Sequence, residues 1–295
     1  MSAIDRSKPF DPRATSSHGH GRIRGLGRVL LYVPLIIFSI FMLVPFAFAL
    51  TGSLKPEVEI FAVPLRWLPT TFQWNNYLLP FQKANFGRYF LNSAIVAIVQ
   101  TAGPVLLCSM AGYSLAKFKY PGRTLIFAFI LATIMLPTQV TLVPLFLIIK
   151  DLHWVNTYAG LIVPGLATTF GTFLMRQFFL SIPSEYMDAA RMDGAGEFRI
   201  FWQIMLPMCR PALSALAIFS FTASWNSFLW PLVIVNQDSM RTVPLGIVFY
   251  IGEQRAPQYG QLLAVAVIAT LPVLAIFLAM QRQFIKGASV SGLKG

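Results

Sequence analysis

The spacing of ionisable side chains constrains this chain most. Between successive Asp, Glu, Lys and Arg residues lie six long uncharged gaps, 29–54, 89–116, 124–149, 152–175, 211–237 and 256–281, each of at least 24 residues. About 20 apolar residues, rising ~1.5 Å each, cross a ~30 Å hydrocarbon core, so every gap can hold one spanning helix with room for tilt. A seventh gap, 67–82, is shorter and carries Thr70, Thr71, Gln73, Asn75 and Asn76, too many polar groups to insert. Strand-length alternation is absent, so helices must satisfy the backbone in lipid. The expectation is an all-α, polytopic membrane protein with six transmembrane helices. Composition agrees: 56% of residues are hydrophobic and 12% charged, against about 25% charged in a soluble domain.

Lys and Arg are unevenly shared between the two sides of these spans. Sixteen fall in the N-terminal tail, the second and fourth connections and the C-terminus, and seven on the opposite side. The positive-inside rule therefore places both termini in the cytoplasm. The net charge of +12 is topological, and with neither a basic helix nor an aromatic RNA platform no nucleic-acid partner is expected. Residues 1–28 read as a disordered basic tail in which His18 and His20 are solvated, 29–285 as the six-helix domain, and 286–295 as a C-terminal tail. Ala47-Phe48-Ala49 has the form of a signal-peptidase site. The long tail and the roughly twenty apolar residues ahead of it fit a retained span better than a cleaved leader.

What the spans lack is informative. No Asp, Glu, Lys, Arg or His occupies the middle of a span, although ion-coupled carriers keep such groups at about 2.5–3.5 kcal/mol each. No Gly-Lys pair occurs, so a phosphate-cradling G-x-x-x-x-G-K-[ST] loop is absent, as are H-E-x-x-H, G-x-S-x-G and any Cys/His ligand set; Cys108 and Cys209 offer no disulfide framework. No catalytic residue, metal or bound cofactor is expected. Uphill transport by such a chain would need energy from another chain.

The connection 176–210 is where such a partner would dock. Pro183, then Ser184 as N-cap, then Glu185 and Asp188 in the first turns and Gly194 past the end bound a short helix. A second helix begins near Glu197, and its Phe198, Phe201, Met205 and Met208 form an apolar stripe before Pro207 and Pro211 redirect the chain. Ala189 and Ala190 would let a partner approach closely; the same periodicity equally suits an interfacial helix that touches only lipid headgroups.

Asp188-Ala189-Ala190, three residues, Gly194, nine residues, then Ile204-Met205-Leu206-Pro207 resembles the E-A-A-x3-G-x9-I-x-L-P loop of permease subunits in binding-protein-dependent ABC importers. Asp replaces Glu at the first position and keeps its charge. Arg176-Gln177-Phe178-Phe179, Ser224-Trp225-Asn226-Ser227-Phe228-Leu229-Trp230-Pro231 and the terminal Lys294-Gly295 resemble the carbohydrate importers, and among these the shorter, six-span permease of the maltose type. The resemblance runs from about Val29 to the C-terminus.

That resemblance implies the type I ABC importer permease fold in a bacterial or archaeal cytoplasmic (inner) membrane. It implies a second permease as heterodimer partner, an extracytoplasmic solute-binding protein, and two ATPase subunits that hold ATP and Mg. A permease for glycerol phosphate or a polyol is the alternative within the class. The coupling interface with the ATPase would comprise Glu185, Asp188, Ala189, Ala190, Arg191 and Gly194, with Ile204, Leu206 and Pro207 anchoring it to the fifth span. Polar and aromatic residues within spans supply candidates for the sugar pathway: Asn92, Gln100, Trp225 and Asn226. Pro104, Pro137, Pro144 and Pro272 read as kinks. The connections 51–88 and 236–259 face outward, with Trp67, Trp74 and Tyr77 towards the binding protein.

Overall fold

The computed structural model describes residues 20–252 and 258–291, and every regular element among them is helical. In chain order these are α1 (His20–Gly52), α2 (Glu57–Ile60), α3 (Asn75–Lys83), α4 (Phe86–Lys117), α5 (Arg123–Ile134), α6 (Thr138–Asp151), α7 (Tyr158–Ile162) and α8 (Thr169–Ser181). There follow α9 (Glu185–Met192), α10 (Glu197–Ile200), α11 (Leu206–Met208), α12 (Arg210–Trp225), α13 (Leu229–Ile234), α14 (Val243–Gly252) and α15 (Tyr259–Ser291). A π-turn, Phe201–Met205, links α10 to α11. Four stretches are long and apolar enough to cross a membrane: Tyr32–Gly52, Phe86–Lys117, Tyr158–Ser181 and Tyr259–Arg282. Two bent pairs, Arg123–Ile134 with Thr138–Asp151 and Glu197–Met208 with Arg210–Trp225, raise the number to six.

The chain divides into two compact units, Met1–Phe48 and Ala49–Gly295. In the first, α1 exposes Leu35, Ile36, Phe38 and Phe41, the surface a bilayer solvates. Ser39 returns its hydroxyl proton to the Leu35 carbonyl (2.7 Å), which keeps a polar group satisfied in lipid. The helix starts at His20, so 20–28, expected as disordered tail, is helical. Extending an existing helix is far easier than nucleating one, and Arg is a good helix former. His18 and the rest of the tail lie outside the described residues. At the other end α15 continues to Ser291, through most of the stretch expected as a tail from 286.

In the second unit α4 is the central strut, packed on α8, α12 and α14. Gly112 permits a close backbone approach to α8: a β-carbon there would stand 2.7 Å from the Arg176 backbone nitrogen, as expected where small residues let membrane helices touch. At one end of α4, Tyr89 and Asn85 donate hydrogen bonds to the Asp238 carboxylate and Arg241 pairs with it at 3.0 Å. Partial burial raises the Asp238 pKa, but those bonds and the Arg241 charge outweigh it and hold the carboxyl below its ordinary value. Glu57 caps α15 from a distance, accepting the backbone N–H groups of Tyr259 (2.8 Å) and Gly260 (3.1 Å).

Three interruptions depart from the expected continuous spans. The third span breaks by 103° between α5 and α6, so Pro137 ends a helix rather than kinking one, whereas Pro104, Pro144 and Pro272 lie inside α4, α6 and α15. Pro137 lacks an N–H and pushes Leu136 away from helical geometry, and the end closes with tighter bonds from Met135 N to Ala132 O and Leu136 N to Thr133 O. The fourth is interrupted at 166–168 ahead of α8, where Thr168 caps Gly171 N (3.0 Å). The fifth stops at Trp225 and resumes as α13. The connection 236–259 also contains an unexpected apolar helix, α14, with Val243, Leu245, Gly246 and Tyr250 buried. In the other connection Trp67 and Trp74 are exposed, but Tyr77 turns inward to share a hydrogen bond with Ser53 (2.7 Å).

Candidate functional site

The segment following α8 is built from a short helix set on a buried foundation. The backbone N–H groups of Met187 and Asp188 bond to Ser184 O (2.9 and 3.1 Å) while the Ser184 side chain makes no capping bond, a departure from the expected side-chain cap. The far end matches a glycine-terminated helix closely. Gly194 has φ +79°, Ala195 N bonds to Ala190 O (2.9 Å) and Gly194 N to Arg191 O (3.0 Å). These are the 6→1 and 5→2 closures of a Schellman motif. Space around the Gly194 α-carbon is open, so the backbone angle alone demands glycine.

Met187 and Ala190, three residues apart and hence on one face, are buried against Tyr113 of α4, Phe179 of α8 and Phe201 and Met205 of the π-turn. Ala190 was expected on the partner-facing side and is instead part of this foundation. Ala189, Asp188, Glu185 and Met192 face outward. The expected stripe is also divided. Phe201 and Met205 are buried, while Phe198 is 73% and Met208 42% exposed, because a π-turn adds a residue and shifts the helical phase. Ile204 and Leu206 pack on the same core, and Pro207 lies in α11.

Arg191 joins the two helices. Its guanidinium donates to Asp188 Oδ1 (3.0 Å) on α9 and to Glu197 Oε1 (2.7 Å) on α10. The hydrogen bond to Glu197 leads, and the two carboxylates together raise its already high pKa. Asp188 thus already has a cationic partner within the chain. Lys117 at the end of α4 donates to Ile182 O at the end of α8 and Arg176 to Leu115 O (3.3 Å), so α4 and α8 are locked together beside this element.

A second feature lies where the helix interruptions converge. A cavity of about 730 Å³ is lined by Thr138 and Gln139 from the first turn of α6, Gly165 and Thr168 from the break before α8, and Asn226, Ser227 and Phe228 from the break after α12, with Gln100, Ser224 and Trp230 beside them. None of its lining residues is ionisable. Of the four expected pathway residues, it brings together Gln100 and Asn226. Asn92 is fully buried, donating to Ser239 O and Arg241 O and accepting from Tyr158. Trp225 donates to Ala269 O (2.9 Å) and stacks on Phe221. Both stand as helix-to-helix ties outside the cavity wall, since buried polar groups in a membrane must find partners. Gln100 is largely spoken for, donating to Leu161 O and Ile162 O and accepting from Ser224.

Sequence reasoning did not single out Thr138 or Thr168 for this wall. The signal was present: each follows within four residues a proline in an apolar run, Pro137 and Pro164, where a broken helix exposes hydroxyl side chains. Among the described residues no group of three or more His, Cys, Asp and Glu stands where it could hold a metal ion.

The family model described as binding-protein-dependent transport system inner membrane component matches residues 108–290. The arabinooligosaccharides transport system permease protein AraQ of Bacillus subtilis is 36% identical over 271 residues, 91% of this chain and 96% of that protein. The sn-glycerol-3-phosphate transport system permease protein UgpE of Yersinia enterocolitica is 35% identical over 271 residues, 90% of this chain and 96% of that protein. The diacetylchitobiose uptake system permease protein NgcG of Streptomyces coelicolor is 37% identical over 252 residues, 84% of this chain and 83% of that protein. A solved bacterial ABC transporter involved in the import of the acidic polysaccharide alginate shares the fold, with a TM-score of 0.77 at 22% identity over 94% of this chain and 100% of that one.

Proposed function

The chain belongs to the family of binding-protein-dependent transport system inner membrane components, and from that premise we propose that it is the sugar-conducting permease of an ABC importer. In this reading a second permease forms the other half of the pathway, and an extracytoplasmic solute-binding protein delivers the sugar to the outward connections. Two ATPase subunits hold ATP and Mg²⁺, and one of them seats on α9 from the cytoplasm, where both termini also lie. This chain itself hydrolyses nothing.

The observation that carries the reading is the way α9 is mounted. Its outer face offers Glu185, Asp188 and Ala189, and its inner face is fixed through Met187 and Ala190 to a core shared by α4, α8 and α12. A push on the outer face is therefore delivered to several spans together, as a rigid-body rocking mechanism requires. Arg191, bonded to Asp188 and Glu197, keeps α9 and α10 moving as one piece.

The test is reconstitution with the companion permease, ATPases and binding protein in proteoliposomes. Gly194→Val places a β-branched residue at φ +79° and should lower binding-protein-stimulated ATP hydrolysis at least tenfold with reduced ATPase co-purification. Asp188→Glu should stay near wild type. Full ATPase association and normal uptake by Gly194→Val would remove α9 from the coupling path. A glycerol phosphate importer is the second reading, favoured by the 35% identity to a permease named for that solute.

A further inference from the structure

The relatives leave the cargo's charge open. Two carry the names of uncharged oligosaccharides and one that of a phosphate ester, at nearly equal identity, and the solved structure handles an acidic polysaccharide. The wall of the cavity bears on that question. We propose that this cavity binds a neutral, hydroxyl-rich solute and rejects anionic ones, with Asn226 as its principal hydrogen-bonding contact; the proposal rests on the permease reading above.

Three observations lead there. First, the lining supplies hydroxyls and amides but no Lys, Arg or His, so a carboxylate or phosphate entering it would shed water without gaining a counter-charge. The first turn of α6 and the start of α8 do line the cavity, and helix N-termini favour anions, but that preference is small beside the penalty for burying an unpaired charge. Second, Asn226 is available. Among the described residues the Asn226 and Ser227 side chains make no hydrogen bond, in contrast to Gln100. A free carboxamide offers two donors and an acceptor, the combination that a vicinal diol can answer in full. Third, the volume of about 730 Å³ falls within the range of roughly 300–1,000 Å³ for pockets that enclose small molecules, and Phe228 and Trp230 give it the apolar surface such pockets need. A sugar presents hydroxyl edges to the amides and C–H faces to the rings.

The binding protein also selects cargo, so the measurement must bypass it. The complete permease–ATPase complex is placed in nanodiscs without binding protein, and ligand affinity is read by saturation-transfer NMR titration. The probes are maltotriose, trigalacturonate of the same length, and glycerol 3-phosphate. Maltotriose should bind, the two anions should bind at least tenfold more weakly, and Asn226→Leu should weaken maltotriose at least tenfold. Asn226→Lys, and independently Ser227→Lys, should admit glycerol 3-phosphate. Anion binding equal to that of maltotriose overturns the proposal, whether the compensating charge sits here or on the companion permease. So does an absence of maltotriose binding, or indifference to Asn226→Leu. ATP-driven uptake in proteoliposomes with binding protein separates the two levels: uptake of an anionic cargo would leave the permease reading standing and remove this one, whereas no ATP-driven uptake of any solute would remove the permease reading itself.

Discussion

Asp238 shows how one side chain in a connection can hold several segments. Its carboxylate accepts from Asn85 and Tyr89 and pairs with Arg241, binding the start of α4 to the connection after α13. Since its folded pKa lies below the ordinary value, the unfolded chain binds more protons there. The stabilisation is complete above about pH 4, the unfolded value, and is lost as pH falls through the lower folded value. Asp238→Asn should lower the melting temperature in detergent at pH 7, and the gap to wild type should close as pH falls below 4; a gap that widens instead would contradict the assignment. At this scale sequence and structure part company over Asn92, Trp225 and Asn226. All three are polar-capable residues in apolar runs and look alike in a sequence. Only packing from distant elements, Ser239 and Arg241 for Asn92 and Ala269 for Trp225, decides which are consumed and which stay free.

Among the described elements, α4 and α8 make the most extensive helix pairing. Gly112 lies against backbone of α8, not against a side chain that could swing away. Gly112→Leu should cost at least about 1–3 kcal/mol, the usual range for overpacking, and should lower thermal stability while also uncoupling ATP hydrolysis from uptake in the survivors. Unchanged stability would mean that the two helices are not in close contact. The α9 turn was legible because its signals are local: Pro183 opens it, Gly194 closes it, and both act within one helix turn. The burial of Ala190 was not, since eight residues fix a helix without fixing which side of it meets a core. The break at Pro137 looked the same as the prolines that α4, α6 and α15 accommodate, and α14 was hidden in a connection because the uncharged stretch between Arg241 and Glu253 is too short to read as a span. The π-turn left no signature at all; it is a compromise between burying Phe201 and Met205 and turning the chain 79° into α12.

For the whole molecule the six-span topology makes a two-sided prediction. A single cysteine at Asn75 should react with a membrane-impermeant maleimide from outside, and one at Ser184 only from inside; native Cys108 and Cys209 are fully buried and should contribute no background. Labelling of Ser184 from outside would invert the arrangement. The number of spans followed from the charge-free gaps, because the price of a charge in lipid is large enough to write topology directly into sequence. The same economy of charge in the cavity has an electrical side. Moving one elementary charge across a membrane is worth about 2.3 kcal/mol per 100 mV, so a transition that carries charged groups is accelerated or stalled by voltage. A cavity wall without ionisable groups, alternating around an uncharged solute, gives the field nothing to pull on. With ATP held constant, valinomycin-clamped proteoliposomes at 0 and −100 mV should import the solute at the same rate, leaving this chain indifferent to the potential that drives much of the traffic around it.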